Sequence, residues 1–513
     1  MYKFVDTVAG SGTESTSMSI ETVFNSFNLD QLLTDKDGSF ITLTVSGRSN
    51  IDQKINTVAV PGMDGLIEQD GANLEPREIT VMYKITDRTN EGLRKRLDQL
   101  NSLLVGSKKE LSFTDEDALF YATMQSNQLP EEDSNTLNGT IIFLCSDPLK
   151  YGPEQTENFE SEVHTVTNDG TVHAAPIVEF IVREPITFAM IQNNSNPNKI
   201  GDQVYPNYTM LGRPVDVESQ TPYLKYERIF YSNGDSLVGF VNASNSDIDG
   251  GIVAGDIITR NSRFVADSYG EGSSWHGPAI KHSLSEPLRD FRMKAFLGFF
   301  NSKAGQVGRV EIYLKDVLGR DVCKVALKDT STGRANTRAE FRAGGLTDGK
   351  YIISEHGDNV GTWNNFSGQV HIEREGNKWY CYLAKVDTST GRHHARRTVE
   401  WEDSENKYTN QVAQVVIHIG AVGNHLILGS NTGLSSISID KINQKTNGVP
   451  FIAGEGDIIT LDSLTGDAFI NGEPRNDLLD FGSDFISLVK GENQLVVHPN
   501  SFDTLLRYRK RYR

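Results

Sequence analysis

Several aromatic residues of this sequence stand beside turn-forming polar residues, a mixture that suits the binding of sugars. The apolar C–H face of a sugar packs on an indole or phenol ring, while its hydroxyls bond planar side chains such as Asn, Asp, Arg and Gln. Turn residues also hold a ring outside the core, where a ligand can reach it. The candidate carbohydrate-binding residues are Trp275, His276, Trp363, Asn364, Asn365 and Trp401.

Each tryptophan has an alternative interpretation as a core residue. Trp275 and Trp363 could each close one end of a β-sandwich instead of binding a sugar. Trp379 lies in an alternating strand pattern that favours core packing. Trp401 stands between two glutamates and is expected to be half exposed. The sequence leaves the choice between core and ligand open at these positions.

Residues 245–256 resemble a calcium-binding loop in their spacing. Oxygen ligands are expected at positions 1, 3, 5 and 12, with Gly at position 6 for the sharp turn. The matching side chains are those of Asn245, Asp247, Asp249 and Asp256. Asn at the first position and Asp instead of Glu at the last weaken the match, and a strand pattern follows where a helix is needed. A polar hairpin without metal is the favoured alternative, and no other cofactor is expected.

Carboxylate pairs are the enzymatic feature that the sequence offers. Glu373 with Glu375, and Glu400 with Glu402, would each lie on one face of a strand. A glycosidase needs two carboxylates about 5 to 10 Å apart. The spacings typical of zinc proteases, serine hydrolases and nucleotide-binding loops are absent. We therefore expect a protein that is not an enzyme and assign no catalytic residue, with a polysaccharide depolymerase as the alternative.

The composition argues against several classes of protein. A net charge of −18 disfavours general nucleic-acid binding, because affinity for phosphates depends on clustered Lys and Arg. Cys145, Cys323 and Cys381 form no CxxC pair and are interpreted as buried thiols. No apolar run approaches the length of a membrane span, and residues 1–30 show no secretion signal. We expect a soluble chain that folds where it is made and has no membrane partner.

Two basic clusters have simple interpretations. The run from Arg507 to Arg513 is expected to be a solvated tail, or an arm that grips an acidic neighbouring subunit. His393 and His394 stand beside several arginines, but neighbouring residues of a strand point to opposite faces and cannot easily ligate one ion. We therefore interpret the histidine pair as part of a solvated basic turn.

The first 152 residues combine short strand patterns with one helix. An amphipathic helix is predicted over residues 90–105, with Thr89 or Asn90 as its cap and Gly106 as its stop. Its apolar face consists of four leucines at helical spacing: Leu93, Leu97, Leu100 and Leu104. Strands are predicted at 40–46, 56–60, 78–86, 110–113, 120–125 and 139–146.

A segment of different character lies in the middle of the chain. Polar, turn-rich stretches at 193–198 and 443–450 are interpreted as linkers that bracket it, and all four tryptophans fall inside. Gly, Asn and Asp separate its strand patterns at intervals of about 8 to 15 residues, which favours an antiparallel jelly roll or lectin-like sandwich. The predicted strands are 291–299, 308–315, 321–327, 338–341, 368–373, 379–387, 397–401 and 414–420.

Seven short motifs follow one another in the first 152 residues: Val45–Arg48, Val60–Gly65, Arg77–Val81, Leu111–Asp115, Tyr121–Ala122, Phe143–Pro148 and Tyr151–Gly152. This ordered set resembles the N-terminal domain of siphophage distal tail proteins. A Gly-x-Asp-Gly turn alone is common, so it is the family order of the whole set that makes the resemblance. The long N-terminal segment departs from the family pattern and leaves residues 1–30 without an assigned role.

The C-terminal end is similar to the galectin-like sandwich that follows the ring-forming domain in that family. The similar segments are Asp457–Asp462, Ile470–Gly472, Ser483–Phe485 and Leu488–Asn493. We therefore expect a mainly β fold in which a galectin-like β-sandwich is interrupted by an inserted jelly-roll or lectin-like β-sandwich. The predicted domains are an N-terminal belt domain (1–152), a galectin-like domain (153–195 plus 445–513) and an inserted carbohydrate-binding-like sandwich (196–444).

The resemblance implies a structural protein at the distal end of a phage tail, assembled in the cytoplasm of the host bacterium. Copies of the chain would form a homohexameric ring that joins the tail tube to the tip. The implied partners are the tail tube protein, the tape measure protein, the tail-associated tip protein and, through the insertion, host cell-wall polysaccharide. A bacterial surface adhesin is a further alternative, although an adhesin would normally carry a secretion signal.

Overall fold

Strands are the dominant secondary structure of the protein, with 54% of its residues against 5% in helices, which confirms the predicted mainly β fold. The computed structural model describes residues 20–513 except 70, 72, 132–133 and 201–202. Most of residues 1–30, the N-terminal segment without an assigned role, lies outside the described residues. Among the described residues, no helix has the length and apolar content needed to cross a membrane. The helical segments are Leu29–Leu32, Asn90–Leu103, and the 3-10 turns Asn245–Asp247 and Asn476–Leu478.

The predicted amphipathic helix is confirmed and spans Asn90–Leu103. Thr89 caps it, because its hydroxyl accepts a hydrogen bond from the backbone N–H of Gly92 at 3.0 Å. The four leucines of the predicted apolar face are buried in the N-terminal core. Arg96 is buried beside them, and its guanidinium lies 2.9 Å from the carboxylate of Asp87. The helix thereby closes one side of the N-terminal core.

One long sheet joins the first and last parts of the chain. Its last strand, Phe502–Tyr512, pairs with Lys150–Asn158 on one side and Ile177–Val182 on the other. The prediction of a solvated basic tail is therefore wrong: Leu506 and Tyr508 are buried, and the arginines alternate with them. The other strands are Thr22–Phe24, Phe27–Asn28, Gly38–Ser46, Arg77–Asp87, Lys109–Phe113, Leu119–Gln128, Thr136–Cys145, Ile458–Asp462, Asp467–Ile470 and Glu473–Pro474.

A four-stranded sheet packs against the C-terminal half of the long sheet and shares one core with it. The stretch 193–198, predicted to be a linker, lies within one of its strands. Asn193 is buried, and its amide donates hydrogen bonds to Asn493 Oδ1 at 2.9 Å and to the backbone oxygen of Ser487 at 2.8 Å. Because its amide has hydrogen-bonding partners, this buried asparagine can lie within a strand. The strands are Val163–Asn168, Phe188–Ile200, Gln203–Gly212 and Gly491–His498.

A separate two-sheet sandwich is inserted between the neighbouring strands Ile177–Val182 and Ile458–Asp462. The inner faces of its two sheets form one apolar core. We call the eight-stranded sheet the front sheet: Tyr226–Ser232, Ile257–Thr259, Phe264–Ala266, Phe291–Phe299, Phe366–Glu375, Lys378–Val386, His393–Glu402 and Gly433–Ile442. The nine-stranded back sheet comprises Val241–Asn242, Ile252–Val253, Trp275–Gly277, Ala279–Leu288, Gly308–Lys315, Asp321–Asp329, Arg338–Ala343, Lys350–Glu355 and Val412–Val422.

Strand pairing moves one predicted boundary. The insertion was predicted to begin at residue 196, but Gln203–Gly212 pairs with Phe188–Ile200 in the four-stranded sheet. The two-sheet sandwich therefore begins after this hairpin. Both chain crossings into the insertion pass a short parallel pair, Thr221–Tyr223 with Gly448–Pro450. The other predicted domain limits, at residues 152 and 445, remain a proposal.

Candidate functional site

A cleft of about 720 Å³ opens at one edge of the front sheet. Strand register determines which side chains meet there. Glu373, Tyr380 and Glu400 lie opposite one another across three neighbouring strands. Because residues opposite one another in a sheet point to the same face, these three side chains form one row along the cleft. An aromatic ring is thereby held between two carboxylates.

A second row extends the polar wall of the cleft. Glu375, Lys378 and Glu402 lie opposite one another on the same three strands. Asn377 donates a hydrogen bond from Nδ2 to Glu402 Oε1 at 3.2 Å, and Gln444 donates one from Nε2 to Glu375 Oε1 at 3.4 Å. The cleft therefore offers both carboxylate acceptors and amide donors to a ligand.

Glu373 is the least exposed of the four cleft carboxylates. It accepts a hydrogen bond from Tyr226 Oη at 3.2 Å, and His371 Nε2 lies 3.3 Å away. Burial opposes its charge, but the bond with His371 and the positive charges of Lys225 and Arg292 hold the pKa of Glu373 below its usual value. The general acid of a glycosidase needs a raised pKa. Glu373 is therefore suited to accept hydrogen bonds, not to donate a proton.

Trp401 is the predicted sugar-binding residue that contributes to the lining of this cleft, although it also packs against the core of the sandwich. It is half-buried on the edge strand His393–Glu402, and its ring centroid lies 5.9 Å from that of Tyr408. Trp379, directly opposite on the next strand, is only 1% exposed and belongs to the sandwich core. The favoured interpretation of Trp379 as a core residue is therefore confirmed.

Trp363 is also a core residue, so its prediction as a sugar-binding residue is wrong. It is 1% exposed, and its Nε1 donates a hydrogen bond to the backbone oxygen of Ala395 at 3.0 Å. Asn364 is half-buried, and its Oδ1 accepts a hydrogen bond from the backbone N–H of Thr337 at 2.9 Å, so it ties two loops together. Asn365 is exposed and adopts a φ of 50°. Neither asparagine lines the cleft.

Trp275 and His276 lie in the back sheet, away from the cleft of the front sheet. Trp275 is half-buried, and the guanidinium of Arg309 stands 4.5 Å from the centroid of its ring. His276 is only 4% exposed, which contradicts its assignment to a surface that binds sugar. The sequence did not reveal that these residues belong to a different sheet from Trp401.

The pair His393 and His394 begins a front-sheet strand and does not form a solvated turn. His393 is buried, and its Nδ1 lies 2.6 Å from the hydroxyl of Tyr382. Burial lowers the pKa of His393. His394 is exposed, and the two rings therefore point in opposite directions, as expected for neighbours in a strand.

The predicted calcium loop places one carboxylate against positive side chains. Asp249 lies 2.8 Å from Lys324 Nζ and 2.5 Å from Arg342 Nη1. Burial opposes the charge of Asp249, but the hydrogen bond from Arg342 and the charge of Lys324 outweigh it and lower its pKa. Two buried cations thus occupy the position that calcium would take beside this carboxylate.

The other residues of the predicted loop have partners of their own. Asn245 Oδ1 accepts a hydrogen bond from the backbone N–H of Val253 at 2.8 Å, and Asp247 lies 3.1 Å from Lys281 Nζ. Asp256 is exposed. In the part of the chain that is described, no group of three or more His, Cys, Asp or Glu side chains is placed to hold a metal ion. These contacts count against the calcium interpretation.

An arm of the N-terminal part, residues 50–76, carries exposed apolar side chains. Two short strand pairs run along it, Gln53–Lys54 with Asn73–Leu74 and Thr57–Val58 with Ile67–Glu68. Exposed apolar groups that are close together are typical of protein contact surfaces. Side chains that are 41% to 59% exposed are those of Ile51, Ile55, Val58, Val60, Met63, Leu66 and Ile67.

Two family models match the two ends of the chain. A phage tail protein RIFT-related domain matches residues 28–145, and a siphovirus-type tail component C-terminal domain matches residues 430–512. The two matches, in this order, define a component of a siphovirus-type phage tail.

A curated relative identifies the family within that class. The distal tail protein of Bacillus phage SPP1 is 29% identical over 165 residues, which are 32% of this chain. The match spans 64% of the length of that relative. The two family models and this relative together support a siphophage distal tail protein of the Dit family. This similarity favours a tail protein over the adhesin alternative.

Two solved structures of phage proteins are also similar to parts of the chain. The crystal structure of the SPP1 Dit protein has 24% identity and a TM-score of 0.31, covering 38% of this chain and 74% of that one. The CBM2 module of the evolved Dit of Lactobacillus casei BL23 phage J-1 has 14% identity and a TM-score of 0.37, covering 43% and 98%. These superpositions are too loose to transfer the role of any residue.

Proposed function

We propose that this chain is the hub at the distal end of a siphophage tail. Six copies form a ring through the N-terminal belt domain, and the ring joins the tail tube to the tip. The tail tube protein, the tape measure protein and the tail-associated tip protein are its partners, and assembly takes place in the host cytoplasm. The similarity to distal tail proteins carries this proposal, and the exposed apolar arm at residues 50–76 supports it as a surface for contact between copies.

The inserted sandwich binds host cell-wall polysaccharide in the cleft of the front sheet. The observation that carries this part of the proposal is the ring of Tyr380 held between the carboxylates of Glu373 and Glu400, in a cleft that Trp401 and the amides of Asn377 and Gln444 also line. A sugar can place its C–H face on the ring while its hydroxyls donate to Glu400 or Glu402 and accept from Asn377. Cleft binding requires no proton transfer, which agrees with the lowered pKa of Glu373.

A ring of six modules makes weak binding at each cleft sufficient. Once one module holds the polysaccharide, the next contact is intramolecular and profits from a high effective concentration. Millimolar affinity at a single cleft would therefore give firm attachment of the whole ring. The proposal predicts that affinity for extended polysaccharide greatly exceeds affinity for a short oligosaccharide.

Light scattering combined with negative-stain imaging of the full-length protein tests the ring. We expect a mass of six chains and a ring with peripheral lobes. A strictly monomeric particle at high protein concentration would contradict the ring, although not the binding of polysaccharide.

A depolymerase is the second candidate, because four carboxylates line the same cleft. Incubation of the protein with host wall polysaccharide separates the two functions. The binding proposal predicts retention of the polymer without release of reducing ends. Release of reducing ends that is lost in Glu400→Gln would favour the enzyme.

A further inference from the structure

A β-hairpin of the long sheet reaches across to the inserted sandwich. The hairpin, residues 467–474, begins with a strand that pairs with Ile458–Asp462. Its turn is formed by Asn471 and Gly472, with φ values of 51° and 77°, which suit a tight two-residue hairpin. The residue after the turn, Glu473, is only 4% exposed. Its hydrogen-bonding partners belong to the front sheet of the insertion.

Four side chains from three strands of the front sheet surround the carboxylate of Glu473. Oε1 lies 2.8 Å from His371 Nδ1 and accepts a hydrogen bond from Tyr380 Oη at 3.3 Å. Oε2 accepts hydrogen bonds from Lys294 Nζ at 2.6 Å and Gln369 Nε2 at 3.1 Å. A buried carboxylate is stable only where such partners replace water. The insertion supplies these four partners to a residue that lies outside it.

The tip of the hairpin also fits closely against the insertion at Gly472. A Cβ atom at this position would lie 2.7 Å from His393 Cδ2 and 2.9 Å from the backbone oxygen of Gly391. Beside it, the guanidinium of Arg396 stands 5.6 Å from the ring centroid of Phe469. Steric fit and a cation–π contact therefore accompany the buried carboxylate.

We propose that the hairpin of residues 467–474 is a latch that holds the inserted sandwich in one orientation relative to the rest of the chain. The chain enters and leaves the insertion beside Thr221–Tyr223 and Gly448–Pro450. Two crossings alone would allow the module to move as a lobe on a tether. Undocking would remove four partners from Glu473 and would expose Lys294 without its counter-charge. This inference goes beyond the proposed function and does not depend on sugar binding.

Distances between spin labels on the full-length chain test the latch. The three cysteines are buried, so labels attach to cysteines introduced at exposed Thr332 in the insertion and exposed Thr465 outside it. Labelled chains are diluted into excess unlabelled protein, so that distances within one chain dominate in any oligomer. We expect one narrow distance distribution for the labelled chain that carries no further substitution.

Glu473→Gln is the decisive variant, because it keeps the shape of the side chain and removes its charge. We expect a broad distance distribution and a shift of the docking equilibrium of roughly 150- to 5,000-fold, the order that follows when one partner of a buried ion pair is lost. Glu455→Gln is the matched control, since Glu455 is an exposed carboxylate of the same part of the chain. It should leave the distribution unchanged.

A pair of glycine variants tests the latch independently of charge. Gly472→Ala places a methyl group against His393 and Gly391. Gly466→Ala carries a similar strain, because Gly466 has a φ of 73°, but its Cβ would meet open space. We expect the distance distribution to broaden in Gly472→Ala and to stay narrow in Gly466→Ala, with the near-ultraviolet circular dichroism of both variants confirming a folded chain.

The latch is refuted if Glu473→Gln folds and keeps the narrow distribution of the unchanged chain. It is also refuted if the chain with an intact hairpin already shows a broad distribution. Should Glu473→Gln fail to fold, equal distributions for Gly472→Ala and Gly466→Ala would refute it. None of these outcomes involves a sugar or the number of chains, so a failure of the latch is distinguishable from a failure of the proposed function.

Discussion

The hydroxyl of Tyr380 donates a hydrogen bond to Glu473 at 3.3 Å, and the same side chain lines the cleft of the front sheet opposite Glu400. Burial, followed by the negative charge of Glu473, raises the pKa of Tyr380. The phenol therefore stays protonated and continues to donate. One tyrosine thus contacts both the hairpin that orients the module and the wall of the cleft that the module presents.

Trp401→Ala should weaken the binding of host wall polysaccharide roughly 2- to 12-fold per cleft, since an aromatic contact contributes about 0.5–1.5 kcal/mol. Trp275→Ala is the matched control, because Trp275 is a half-buried tryptophan of the same sandwich but lines no part of the cleft. Titration calorimetry with a defined oligosaccharide measures both. Weakened binding in Trp275→Ala with unchanged binding in Trp401→Ala would move the site to the back sheet.

The stability contributed by Glu473 should depend on pH. Burial opposes the charge of Glu473, but His371 and Lys294 outweigh it and hold its pKa well below the ordinary value of 4.5. A carboxyl with a lowered pKa stabilises the docked chain above its ordinary pKa, and this stabilisation is lost as pH falls towards the lowered value. The ionisable groups that face the carboxylate are Lys294, His371, Tyr380, Tyr382, His393 and Arg475.

Denaturant unfolding of the unchanged chain and Glu473→Gln, compared between about pH 3 and pH 6, measures this dependence. The unchanged chain should be the more stable of the two at pH 6, and its advantage should shrink as the solution is acidified. The subtraction cancels the titration of the groups that both chains share. An advantage that stays constant over this range would show that Glu473 does not titrate with a lowered pKa.

Asp249→Asn should lower the free energy of unfolding by about 1.5–3 kcal/mol, because it removes the carboxylate that the buried cations Lys324 and Arg342 share and leaves them with Glu311 and Asp321. Asp256→Asn, at an exposed position of the same loop, should have little effect. A chelator should leave the unfolding midpoint of the unchanged chain where it was. A midpoint that falls with chelator, and falls again in Asp256→Asn, would instead establish the calcium site.

Met63→Asp should weaken assembly of the ring, because it places a charge on the apolar surface of the arm at residues 50–76. Val217→Asp is the control: Val217 is 88% exposed and lies outside the arm. Light scattering over a dilution series should show Met63→Asp dissociating at a higher concentration than the unchanged chain and Val217→Asp. Equal behaviour of the three proteins would exclude this part of the arm from the contact.

Local patterns predicted much of the fold, because each depends on neighbouring residues. The leucine spacing placed the helix, and the alternating patterns placed the strands Phe291–Phe299 and Gly308–Lys315 with the bounds that the structure has. The wrong predictions concern residues whose local sequence suggests one structure, while partners distant in the sequence stabilise another. Asn193 looks like a linker residue until Asn493 and Ser487 satisfy its amide.

The site was less predictable, since a binding surface depends on register between strands. Nothing in the sequence aligns Glu373, Tyr380 and Glu400, which come from three different strands. The carboxylates could be suspected from their spacing, but Tyr380 had no local signal to set it apart from a core tyrosine. The prediction for Trp363 was wrong because its polar neighbours in the sequence suggested an exposed loop, whereas the indole itself is buried.

The central position of the C-terminal strand has a consequence for synthesis on the ribosome. Phe502–Tyr512 pairs on both sides, so the long sheet cannot be completed until this strand has left the exit tunnel. The strands of the inserted sandwich end at Ile442, so the sandwich can form its core earlier. The inserted module can therefore fold while the long sheet on which it stands still lacks a central strand.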